Sequence, residues 1–152
     1  MRGFTLIEAA IVTAIVGIGV VALLQLLAAG SMANAQSSQT TTAVYLANNV
    51  NEMMQGQTYA DLHTKYDNKV YGDVATATKF VKDGRGNDLV DASGAALFPG
   101  WKQKINVQYV LPNQLTFAVP DSQVEPTSRV TVDILHYDKP IYTATWIVAV
   151  PQ

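Results

Sequence analysis

Glu8 is a lone carboxylate at the head of an apolar run. From Ala9 to Ala29 there is no charged side chain, and only Thr13 and Gln25 are distinctly polar. A charge at bilayer depth costs about 2.5–3.5 kcal/mol even on a lenient insertion scale. The chemistry open to Glu8 is therefore ion pairing, because two charges that are each expensive in an apolar core are cheaper as a pair. A snorkelling carboxylate at a membrane interface is the plainer alternative. Asp83, Asn87, Asp88 and Asp91 form a second candidate. Their oxygens, around Gly84 and Gly86, faintly resemble a calcium loop. Arg85 stands where such a loop wants an oxygen ligand and the closing glutamate is missing, so a solvated turn competes with it. His63 and His136 are the only histidines and there is no cysteine, so a zinc site would need carboxylates from distant segments. Surface or hydrogen-bonded histidines are the ordinary reading. No nucleophile elbow, P-loop or dinucleotide spacing is present. The expectation is no enzymatic activity, no cofactor and no bound metal.

The elements that position Glu8 are legible from periodicity. About 20 apolar residues suffice to cross a bilayer as a helix, and Ala9–Ala29 meets that length. The pattern predicts one helix from Phe4 to about Met54, in two chemical halves. The first, 4–30, is apolar all round, as a helix buried in lipid or among like helices must be. Its small residues Ala10, Ala14, Gly17, Gly19 and Ala22 permit close helix approach. The second, 31–56, turns amphipathic: Ala43, Leu46, Ala47, Val50, Met53 and Met54 recur at three- and four-residue steps. Gly30-Ser31-Met32 and the Ser/Thr/Gln tract Gln36–Thr42 are weak helix formers, so a bend or fray is expected there. Gly56 suits a helix end.

The rest, 57–152, reads as a globular head. Segment 57–100 is glycine-rich, with a short helix expected around Tyr59–Tyr66 and brief strands at Phe80-Val81 and Asp88–Val90. Segment 101–152 alternates as antiparallel strands: Lys104–Val110, Leu115–Val119, Arg129–Leu135 and Ile141–Val150. One face would carry Ile105, Val107, Tyr109, Phe117, Val130, Val132 and Ile134, and the amphipathic half-helix would cover it. The strand aromatics Trp101, Tyr109, Phe117, Tyr137, Tyr142 and Trp146 are expected to pack in or beside this sheet. The predicted fold class is α+β. No Lys or Arg lies between Arg2 and Lys65, and the formal net charge is -2 with pI near 5.5, so nucleic acid is not an expected partner. Without cysteine the head must hold by its core and neighbours.

Gly3-Phe4-Thr5-Leu6-Ile7-Glu8, placed at the N-terminus with the apolar run directly after it, resembles the processing signature of type IV prepilins and type II secretion pseudopilins. The resemblance covers about the first thirty residues. It implies a pilin-like fold, a leader 1–3, cleavage by a prepilin peptidase between Gly3 and Phe4, and N-methylation of Phe4. It also implies pairing of Glu8 with the freed amine of Phe4 on a neighbouring subunit. The partners it implies are other pilin or pseudopilin subunits, and an assembly platform with its ATPase in the cytoplasmic membrane. The chain would be a single-pass protein with its head outside, later assembled into a filament. Two features depart from the best-known pilus-forming members: there is no C-terminal disulfide and no proline in the apolar segment. The absent disulfide leans towards minor pilins or pseudopilins. Two other readings stay open. Ala33-Asn34-Ala35 is a passable signal-peptidase site that would release a soluble binding domain from Gln36, and a plain anchored protein need never polymerise.

Overall fold

The computed structural model describes residues 5–73, 75 and 78–150. The chain divides into two compact units, Met1–Gln39 and Thr40–Gln152. One helix, α1 (Leu6–Gln55), contributes to both. The division falls inside the amphipathic half, so Thr40–Gln55 of α1 belongs with the head.

In the first unit, every side chain from Thr5 to Ser38 is exposed. The expected fray does not occur: α1 stays helical through Gly30 and through the Ser/Thr tract. A glycine inside a helix costs only about 1 kcal/mol against alanine. Hydroxyls can also fold back on the preceding turn, as Thr13 Oγ1 does in donating to Ala9 O at 2.9 Å. Weak propensity is not enough to break so long a helix.

The second unit is α+β. Its sheet comprises β1 (Lys69–Tyr71), β2 (Trp101–Leu111), β3 (Gln114–Ala118), β4 (Thr127–His136) and β5 (Lys139–Ala149), all pairs antiparallel. The order is β1-β2-β4-β5, with β3 paired to the end of β2. Register sets Gln103 opposite Ile134, Ile105 opposite Val132 and Val107 opposite Val130. That row meets Ala43, Leu46, Ala47, Val50, Met53 and Met54 of α1 in a single core. The anticipated helix stripe is thus buried throughout.

Two expected core aromatics are not there. Phe117 is 68% exposed and Tyr109 is half-buried. The β2–β3 pairing shifts register at Val110/Leu111. Val110 is then buried out of phase with Ile105 and Val107, and all of β3 is left exposed. Tyr137 is also exposed, at the two-residue turn between β4 and β5.

Segment 57–100 is more ordered than its composition implies. A short helix α2 (Tyr59–Asp61), capped by Thr58, runs into a π-helical turn Leu62–Tyr66, where a short helix is expected. The brief strands at 80–90 reduce to the isolated pairs Lys82 with Asp88 and Val90 with Ala96. Each pair brackets a turn of the form Asp-x-x-Gly: Asp83 to Gly86 and Asp91 to Gly94. In each, the glycine N–H donates to the aspartate carbonyl at 3.0 Å. Gly86 and Gly94 both take positive φ, +82° and +83°, which a side chain would oppose.

Candidate functional site

Glu8 sits in the first turn of α1, with Thr5 immediately before the helix. The two close a reciprocal cap. Thr5 N–H and Thr5 Oγ1 donate to Glu8 Oε2 at 3.2 and 3.1 Å, and Glu8 N–H donates to Thr5 Oγ1 at 3.4 Å. This is the capping-box arrangement, recognisable in sequence as Thr-x-x-Glu. The capping role of Thr5 was not among the sequence-based expectations. One Glu8 oxygen thus has local donors, but its charge has no cation against it among the described residues. Gly3 and Phe4, the expected processing residues, lie outside the described residues.

Behind Glu8, α1 contains a stretch long and apolar enough to cross a membrane, with a mean hydropathy of 2.5 and none of it buried within the chain. Thr13 is satisfied by its own helix. Gln25 is exposed in the apolar stretch, beside Val21 and Ala22.

No family model, curated protein or solved structure matches this chain.

Asp83, Asn87, Asp88 and Asp91 are not brought to one point. Asp83 Oδ1 accepts from Arg85 N–H at 2.9 Å and Asn87 N–H at 2.7 Å. Asp91 Oδ1 accepts from Ser93 N–H, Ser93 Oγ and Ala95 N–H at 2.6–3.0 Å. Asp88 pairs with Lys82 Nζ at 2.7 Å. Each acidic group serves its own turn or ion pair. Among the described residues no three acidic or histidine side chains converge as a metal site would need. The Asp91 carboxyl is held below the usual carboxylate range by its Ser93 and Ala95 donors.

His63 is built into a part-buried polar chain. Its ring stacks on Tyr109, centroids 3.7 Å apart, and its Nε2 lies 2.7 Å from Ser128 Oγ. Ser128 is fully buried and also lies 2.6 Å from the Tyr59 hydroxyl, which is 2.6 Å from Glu125 O. A carbonyl can only accept, so Tyr59 spends its proton on Glu125 O. Ser128 then donates to Tyr59, and His63 Nε2–H donates to Ser128. In this arrangement His63 gives a proton to the serine and does not take one, the reverse of what nucleophile activation requires. Burial raises the Tyr59 pKa, and burial lowers that of His63 against the smaller opposing pull of Asp67 and Asp121. His136 stacks on Trp101 with centroids 4.5 Å apart. Both histidines are packing elements of the head.

Proposed function

We propose that this chain is a structural subunit of a type IV pilin-like or pseudopilin-like filament. In this reading α1 anchors it in the cytoplasmic membrane with the head outside, and afterwards joins it to other copies. The observation that carries the proposal is a Glu8 charge with no cation against it among the described residues, at the first turn of an apolar helix whose membrane-length stretch is not buried within the chain. Covering large side chains such as Leu6, Ile18 and Leu27 is worth about 1.5–3 kcal/mol each. Lipid and a bundle of like helices both supply that cover. The hydrocarbon interior of a bilayer supplies no cation for Glu8, whereas a neighbouring copy cut between Gly3 and Phe4 brings a free amine. The pairing also fixes axial register, because a misplaced subunit leaves a charge in an apolar core.

The partners under this proposal are a prepilin peptidase that cuts and methylates, an assembly platform with its ATPase, and sister subunits. Glu8→Gln separates the two roles of the side chain. Glutamine serves a capping box as glutamate does, so the helix start survives while the charge is lost. Glu8→Gln and Glu8→Leu are expected to insert and be processed normally and yet not enter filaments. Normal filaments from Glu8→Gln would remove the pairing. Mass spectrometry of the mature protein should find methylated Phe4 at its start. A chain beginning at Gln36, or one keeping Met1, would overturn the proposal.

A further inference from the structure

The sheet of the head treats its edges unequally. β1 is three residues long and its margin is covered: Thr78 Oγ1 donates to Val70 O at 2.6 Å, and Gly72 N–H donates to Thr78 O at 2.9 Å. The carbonyl of Thr116 in β3 accepts from the Arg129 guanidinium at 2.9 Å. Among the described residues β5 has no such cover. It forms the margin of the sheet for eleven residues and pairs only with β4. Lys139 and Pro140 blunt its first two positions, but Ile141–Ala149 contains no charge, proline or glycine. Long, flat, uncharged margins are what soluble proteins ordinarily avoid, because every outward N–H and C=O is a template for another strand.

The side chains tell the same story. The sheet-inward residues of β5, Tyr142, Ala144, Trp146 and Val148, stay only partly buried, although they pack against a core whose β4 members Val130, Val132 and Ile134 are fully closed. Beside this half-open row lies a groove of about 360 Å³. Met54, Leu62, Trp146 and Ile147 line it, with the amides of Asn51 and Gln55 at hand. No lining residue is charged, and Lys139 at the far end of β5 is the one cation on that strand.

We propose that β5 is a docking edge for an extended strand of another protein, added alongside Ile141–Ala149. The occupant is a strand without charge alongside Ile141–Ala149, apolar on the residues that drop into the groove, with one carboxylate at the end that meets Lys139. Backbone hydrogen bonds to β5 supply the attachment, and the groove reads alternate side chains. The proposal does not rest on the filament reading: it concerns the head alone and would survive the loss of the Glu8 pairing.

The test uses the full chain in detergent micelles and a fluorescent synthetic peptide of about nine residues. The peptide alternates threonine with valine or leucine and ends in one glutamate. Saturable binding is expected by anisotropy. N-methylation of every second peptide nitrogen should abolish binding in one phase and spare it in the other, since alternate N–H groups face the ladder. Ile147→Lys should weaken binding at least about tenfold, with an unchanged unfolding midpoint showing that the head is intact. Equal binding of both N-methylated peptides would mean greasy adsorption and overturn strand addition, as would no binding at all. Concentration-dependent dimerisation of the chain alone, lost in Ile147→Lys, would make a second copy the occupant and overturn the proposal as stated.

Discussion

Gln103 ties α1 to the sheet: its Nε2 donates to Leu46 O at 3.0 Å, in the fully buried row of β2 that also holds Ile105 and Val107. The same amide nitrogen donates to Lys82 O at 3.1 Å, while Oε1 accepts from Lys82 N–H at 2.7 Å. One side chain thereby joins helix, sheet and the 80–90 segment. Gln103→Leu would keep the volume and strand both Lys82 groups. It should cost about 2–4 kcal/mol, because buried donors and acceptors left unpaired are expensive. Urea unfolding followed by tryptophan fluorescence reads this directly, since both tryptophans, Trp101 and Trp146, lie in the sheet. A cost below 1 kcal/mol would show that water replaces the glutamine.

Thr5 and Glu8 hold the helix start between them. Thr5→Ala should loosen the first turn of α1 by about 1 kcal/mol, whereas Thr5→Ser should not. Amide hydrogen exchange across residues 6–9 in bilayers is the measurement. Equal protection in Thr5→Ala and the parent would mean that the cap contributes nothing in lipid.

His63 gives the head a pH dependence of definite sign. Burial holds its pKa below the ordinary 6.5, so the unfolded chain takes up a proton more readily than the folded one. Its contribution is fully present above 6.5 and is lost as pH falls towards the folded value. Denaturation midpoints measured between about pH 8 and 5 should fall over the acid half of that range. His63→Phe, which keeps a ring against Tyr109, should flatten that slope even though it forfeits the Ser128 contact. An unchanged slope would place the titration elsewhere.

The β4–β5 turn carries strain. Tyr137 and Asp138 both take positive φ, +47° and +63°, in a two-residue connection where asparagine and glycine are the favoured pair. Asp138 Oδ1 meets Lys102 Nζ at 2.7 Å, but Asp138 is largely exposed and such pairs contribute little. Asp138→Gly should therefore raise head stability by about 0.5–1 kcal/mol, seen as a higher urea midpoint. A lower midpoint would show that the Lys102 contact outweighs the backbone cost.

Legibility differed from element to element. The stripe Ala43–Met54 and the alternation Ile105, Val107, Val130, Val132, Ile134 announced both faces of the core, because periods of 3.6 and 2 are local properties of the chain. Thr-x-x-Glu at positions 5–8 and the paired Asp-x-x-Gly turns are equally local patterns, although neither was among the expectations. β1 carried no such signal: three residues, Lys69–Tyr71, have no periodicity to show. Phe117 fitted the alternation and still fell outside the core, since a register shift at Val110/Leu111 is decided by the partner strand.

The sequence by itself determined that a carboxylate heads a long apolar helix, that a second half-helix is amphipathic, and that an antiparallel sheet follows. Each of those follows from neighbours along the chain, where spacing and side-chain chemistry act directly. The tertiary structure alone decided that Gln103 reaches the Leu46 carbonyl, that Asp83 and Asn87 share one turn while Asp91 serves another and Asp88 an ion pair, and that β5 is the margin left uncovered among the described residues. Those outcomes depend on which strand lies beside which, and pairing between distant segments is set by the packing of the whole core.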